Sequence, residues 1–221
     1  MDAPSFRFLD VDGARIAYWT LGNGPPLVIT PGSQISDTQA EWDLAPSRAY
    51  CQALAETWTV VRYDQRGAGR SERRPSKMTA EDHVADLAAI VEAVGMPVTL
   101  LAQIWFGAHG LRYAARNPDR LKSLLLWNPT THGLGLVEQS REASGWFGMA
   151  SGDWETFIRV MIPAIQRVPR EHEEEMIRWE TASNDQAGFF RFYEESLFDA
   201  RPDATRVTVP TRVLLRPGSR S

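Results

Sequence analysis

Thr99 to Arg120 reads TLLAQIWFGAHGLRYAARNPDR, and its two halves follow different hydrophobic patterns. Its first residues, with Pro97 and Val98, form the continuous apolar run PVTLLA, the signature of a strand buried on both faces of a parallel sheet. A helix is expected from about Phe106 to Asn117, so a buried strand must turn sharply into a helix around Gln103–Trp105. LKSLLLWNP, residues 121–129, then reads as another fully buried strand.

The same alternation extends toward the amino terminus. FRFL and ARIAYWT flank DVDG, whose Asp12-Gly13 pair signals a hairpin, and PLVIT follows the turn GNGPP. After an irregular stretch from Pro31 to about Pro46, SRAYCQALAETW has helical spacing and WTVVRYD is rich in β-branched and aromatic residues. Thr79 and Asp82 form a capping-box pattern that opens a helix with Val84, Leu87, Val91 and Val94 on its buried face, ended by Gly95 and Pro97. Residues 131–204 are read as helices only, and VTVPTRVLLR resumes the strand pattern. The expected architecture is α/β, a mostly parallel doubly wound sheet in one domain. It divides into a core at 1–130, a helical insertion at 131–204, and a last core strand with tail at 205–221.

Composition narrows the function classes. The 221 residues are 43% hydrophobic and 24% charged with a net charge of −4, which suits a globular protein and disfavours nucleic acid or an anionic membrane as partner. The basic run Arg66, Arg70, Arg73 and Arg74 has no interleaved aromatic platform and reads as a solvated loop. Cys51 is the single cysteine, so no intramolecular disulfide and no cysteine metal site is expected. The first residues lack a secretion-signal pattern and no apolar run is long enough to span a bilayer, so a cytoplasmic protein is expected. No metal-ligand spacing and no complete G-x-G-x-x-G pattern occurs, so no cofactor is expected.

The order of these parts resembles the α/β-hydrolase fold over essentially the whole chain. RYDQRGAGRS looks like the family's strand-four turn, TAEDHVADLAAIVEAVG like the helix after it, and GLRYAARNPDRLKSLLLWNP like the helix and strand after the nucleophile. PLVITPGS is similar to the strand that supplies half of the oxyanion hole, with Pro31-Gly32 where many members have His-Gly. The resemblance implies a nucleophile on a strained strand-to-helix turn, followed in the chain by an acid and a histidine. Here that turn is Ala102, Gln103, Ile104, Trp105 and Phe106, with Ile104 at the nucleophile position. Isoleucine can neither attack a carbonyl nor exchange a proton with a base.

Ile104 is unsuited to a tight turn at positive φ and Phe106 stands where a glycine is expected, so the elbow is expected to have relaxed or been rebuilt. Ile104, Trp105 and Phe106, with Trp127 from the next strand, should fill the former site as an apolar plug. The former oxyanion pocket is assigned to Gly32, Ser33, Gln103, Ile104, Trp105 and Phe106. RVLLRPGSRS holds no carboxylate at the family's acid position, and no later histidine follows.

Four histidines could replace the base. His83, His109, His132 and His172 are read as structural, with His109 and His132 nearest the presumed pocket. Ser33 is read as a pocket-wall hydroxyl, Ser71 as a turn hydroxyl, and Asp64 with Arg66 as fixing their loop. Three outcomes remain open: a member without hydrolase activity that binds a small apolar ligand, an active hydrolase using Ser33 with His109 or His132, or the front part of a longer hydrolase. A bare sheet edge would favour a homodimer.

Overall fold

A computed structural model describes residues 3–32, 36–133, 141–161 and 169–215, with the side chains of 141–144 excepted. Seven strands form one sheet in the order β1-β2-β4-β3-β5-β6-β7. They are β1 Arg7–Val11, β2 Ala14–Leu21, β3 Pro26–Ile29, β4 Thr59–Tyr63, β5 Val98–Gln103, β6 Leu121–Trp127 and β7 Thr211–Leu214. β1 and β2 pair antiparallel, β2 pairs antiparallel with β4, and all pairs beyond that are parallel. The hairpin joining β1 to β2 has Asp12 at φ 52° and Gly13 at φ 80°, the two positive φ angles a tight Asp-Gly turn requires.

Helices cover both faces of this sheet. They are α1 Thr38–Asp43, α2 Ala45–Ala55, α3 Ala80–Val94 and α4 Gly107–Arg116. α1 lies within the stretch read as irregular. The Asp37 side chain caps it by accepting from the Gln39 and Ala40 amides, and six residues are too few to produce a visible helical period. α3 carries the expected capping box, buries Val84, Leu87 and Val91, and ends at Gly95 with φ 77°. Val94 is half-buried.

The helical segment beyond β6 contains α5 Arg141–Gly152, α6 Trp154–Met161, α7 Arg170–Ser183, α8 Gln186–Arg191, a π-helical turn Phe192–Ser196 and α9 Arg201–Ala204. A single bridge between His132 and Asp199 is its only strand-like pairing among the described residues. The segment has its own apolar cluster around Phe157, Ile158, Ile177 and Phe189. It docks on the loops that leave the carboxyl ends of β3 and β4. Ser183 Oγ donates to Asp37, the Gly69 amide donates to the Ser183 carbonyl, and Arg191 donates to the Pro75 carbonyl.

Candidate functional site

β5 runs between β3 and β6, and its chain must reverse almost at once so that α4 can lie back across the sheet. The approach is close on both sides. A Cβ on Gly110 would come within 2.4 Å of Ala102 Cβ, and one on Gly107 within 2.6 Å of Pro129 Cβ. Ile104 carries the reversal at φ 46°, and a 3₁₀ turn over Ile104–Phe106 leads into α4. Of the two expectations for the elbow, relaxation is therefore incorrect, since Ile104 keeps a positive φ. Sheet position and α4 packing fix the turn geometry, and they override the reluctance of a β-branched residue to enter left-handed space.

The apolar plug also needs correction, because the three side chains go to different places. Ile104 points toward Gly32, its Cδ1 3.8 Å from where a glycine Cβ would stand. Trp105 is half-buried and meets Tyr193 edge-on at 5.4 Å. Phe106 is 1% exposed and packs with Met78, His83, His109 and Phe192, so it fills the seam between the core and the helical segment. Trp127, at the end of β6, is 44% exposed and plugs nothing.

Gln103 ties the elbow to the neighbouring strand end. Its amide N–H donates to Thr30 Oγ1 and its side-chain Nε2 donates to the Thr30 carbonyl at 2.8 Å. That carbonyl also accepts from Arg62, which pairs with Glu41 and whose pKa burial lowers to about 10. Thr30 Oγ1 in turn donates to the Pro31 carbonyl. On the other side, the Thr130 amide donates to the Ile104 carbonyl at 2.8 Å. The Thr30–Gly32 strand end and the elbow are thus held in fixed register by amides, a carbonyl and a hydroxyl, and Ile104 is the side chain between them.

The other candidates lie elsewhere. Ser33 falls outside the described residues. Ser71 Oγ donates to the Asp64 carbonyl at 2.6 Å and accepts from the Ala17 amide, a turn role. Asp64 accepts from the Thr38 and Arg70 amides, and burial pushes its carboxyl up to about 6. Arg66 grips Asp86 through two nitrogens and lies 3.3 Å from Asp82. These groups hold the loop together rather than face Ile104.

Among the histidines, His109 is 1% exposed on α4. It packs against Phe106 and Phe198, and burial lowers its pKa to about 4. A crevice too narrow for a water molecule lies beside it, lined by Trp105, Thr130, Ser196, Leu197 and Phe198 among others. His132 pairs through its backbone with Asp199, whose carboxylate Arg201 holds well below its ordinary value. His172 lies on α7, 4.0 Å from Glu175. The seam built by Phe106, Phe192 and Phe198 was not anticipated. Aromatic density in GFFRFYEESLF was the one available signal, and its partners are distant in sequence. Among the described residues no three metal-ligating side chains converge, and no helix is long and apolar enough to cross a membrane.

Comparison with known proteins agrees with this geometry. Residues 43–171 match the family model described as the alpha/beta hydrolase fold. A cis-3-alkyl-4-alkyloxetan-2-one decarboxylase from Shewanella oneidensis is 29% identical over 127 residues, which cover 55% of this chain and 38% of that protein. A putative carbamate hydrolase from Caulobacter segnis is 34% identical over 104 residues, 46% of this chain and 37% of its own length. The matched part thus spans under two fifths of these curated relatives. Among solved structures, a bromoperoxidase from Bacillus anthracis superposes with TM-score 0.78 at 17% identity, covering 96% of this chain and 81% of that one. An enol-lactonase from Burkholderia xenovorans gives TM-score 0.73 at 24% identity, covering 94% and 80%.

Proposed function

Because this chain belongs to the alpha/beta hydrolase fold family, we propose that it keeps the family scaffold without hydrolase chemistry at the elbow and serves as a binding protein. The observation that carries this reading is Ile104. It occupies the turn between β5 and α4 at φ 46°, where the family presents its nucleophile, and turns a methyl group toward Gly32. An aliphatic side chain there has no lone pair to attack with and no proton to give a base. Beside it, Gln103, Thr30 and Pro31 direct their polar groups at one another.

Two further features support the same reading. His109, the histidine nearest the elbow in sequence, is sealed beneath Phe106 and Phe198 instead of facing Ile104. The helical segment acts as a lid, and Trp105 meets Tyr193 edge-on beneath it, so a small apolar ligand would enter by parting these two rings.

The test is enzymatic. Purified protein is assayed with short-chain p-nitrophenyl esters and lactones beside a heat-denatured control, and no turnover above that control is expected. Turnover abolished by a serine-directed phosphonate would overturn the reading.

A further inference from the structure

Outside the elbow, two buried imidazoles form a cluster to which the reading above assigns no chemistry. His83 on α3 and His109 on α4 face each other with ring centroids 5.4 Å apart, and each is 1% exposed. Among the described residues none of their four ring nitrogens makes a hydrogen bond of good geometry. The walls around them are aromatic. Phe106 lies 5.5 Å from His83 and 5.0 Å from His109, Phe192 5.5 Å from His83, and Phe198 5.3 Å from His109. Phe192 and Phe198 come from the helical segment, so the two imidazoles form part of the surface on which that segment sits.

We propose that the His83–His109 pair is an acid-sensitive latch, whose protonation releases the Phe192–Phe198 stretch from α3 and α4. A neutral imidazole packs among phenyl rings like another aromatic side chain, whereas an imidazolium there would be a desolvated charge with no carboxylate hydrogen-bonded to it. The charged groups that act on His83 are Arg66, from the loop after β4, and His109 itself, and both oppose its proton. Arg112 on α4 also opposes protonation of His109. Glu81 on α3 favours it, as do weak backbone hydrogen-bonding contacts to the carbonyls of Trp105 and Ser196. Burial is the largest effect on both rings and keeps them neutral at pH 7.

Separation of the Phe192–Phe198 stretch would return both imidazoles to water, where they take up protons below about pH 6.5. Acid therefore favours the open form, by up to about tenfold per pH unit for each histidine that opening exposes. This inference concerns the docking seam alone and stands whether or not the protein turns over an ester.

Hydrogen–deuterium exchange, corrected for its intrinsic pH dependence, tests the latch at pH 7.5 and pH 5.0, with a β5 peptide as internal reference. Opening of residues 192–198 should rise at least tenfold toward the lower pH while β5 stays protected. In the double variant His83→Gln, His109→Gln the rise should disappear, and each single variant should keep part of it. A His83→Leu, His109→Leu pair gives the same comparison if the glutamines disturb packing. The latch is refuted by an unchanged 192–198 peptide, by an equal loss of protection in β5, or by a full rise in the double variants.

Discussion

Ile104 and Phe106 both stand where a tight turn favours small residues, yet their energetic consequences have opposite signs. Ile104 holds a β-branched side chain at φ 46°, a strain of about 1–3 kcal/mol. Its side chain is only half-buried, so truncation forfeits little. Phe106 at 1% exposure is a core residue of the seam, and large-to-small replacement of such a residue costs about 3–5 kcal/mol. Phe106→Gly should therefore lower the melting temperature by roughly 6–20 °C, at about 2–4 °C per kcal/mol for a chain of this size. Ile104→Ser should change stability by no more than about 1 kcal/mol, as relieved strain offsets lost burial. Thermal unfolding of the two single variants separates these outcomes. The triple variant Ala102→Gly, Ile104→Ser, Phe106→Gly should be destabilised and still give no ester turnover, and measurable turnover would show that the elbow alone had silenced the site.

α4 and β5 depend on each other through the contact between Gly110 and Ala102. A methyl group added to Gly110 would meet Ala102 Cβ at 2.4 Å, a distance that forces the helix away from the sheet. Gly110→Ala should cost about 1–3 kcal/mol by overpacking, despite the better helix propensity of alanine. Ala102→Gly in the same chain removes the opposing methyl and should recover most of that loss. Urea unfolding of both single variants and the double variant measures the coupling, and additive effects would show that the two elements do not share this contact. α3 is fixed to the loop after β4 in another way, through Arg66 between Asp86 and Asp82. Replacing Asp86 by Asn leaves a buried guanidinium without its main counter-charge and should cost about 3–5 kcal/mol.

Across the whole molecule, acid sensitivity depends on buried groups of opposite sign. His109 has its pKa lowered from the ordinary imidazole value of 6.5 to about 4 by burial, so the unfolded chain binds a proton that the folded chain refuses. Its contribution is fully favourable above pH 6.5 and is lost as pH falls toward 4, by about 3 kcal/mol. Asp64, raised from 3.8 to about 6 by burial, acts the other way. The folded protein bears a cost for the ionised carboxylate above pH 6, and that cost is relieved on acidification. The two partly cancel, so the wild-type urea midpoint is a poor reporter of either. The difference between His109→Gln and wild type isolates the histidine. It should shift in favour of the variant by about 3 kcal/mol between pH 7.5 and pH 4, and a pH-independent difference would show that His109 does not titrate as its burial implies.

The sequence by itself determined what is local or periodic. The Asp12-Gly13 hairpin, the Thr79–Asp82 cap, the β5 and β6 apolar runs and the isoleucine at the elbow each depend on residues a few positions apart. Such patterns suffice for the order of strands and helices, and hence for the family. Tertiary structure decided where side chains from distant segments meet. Ile104 stays at positive φ because β3, β6 and α4 leave the chain no other route, a constraint invisible in five residues. Phe106 packs into the seam because Met78, His83 and Phe192 form an apolar environment there, and those partners come from three separate segments. The burial that keeps His83 and His109 neutral has the same origin. Local sequence names an imidazole, but only the packed fold sets how much water and charge surround it.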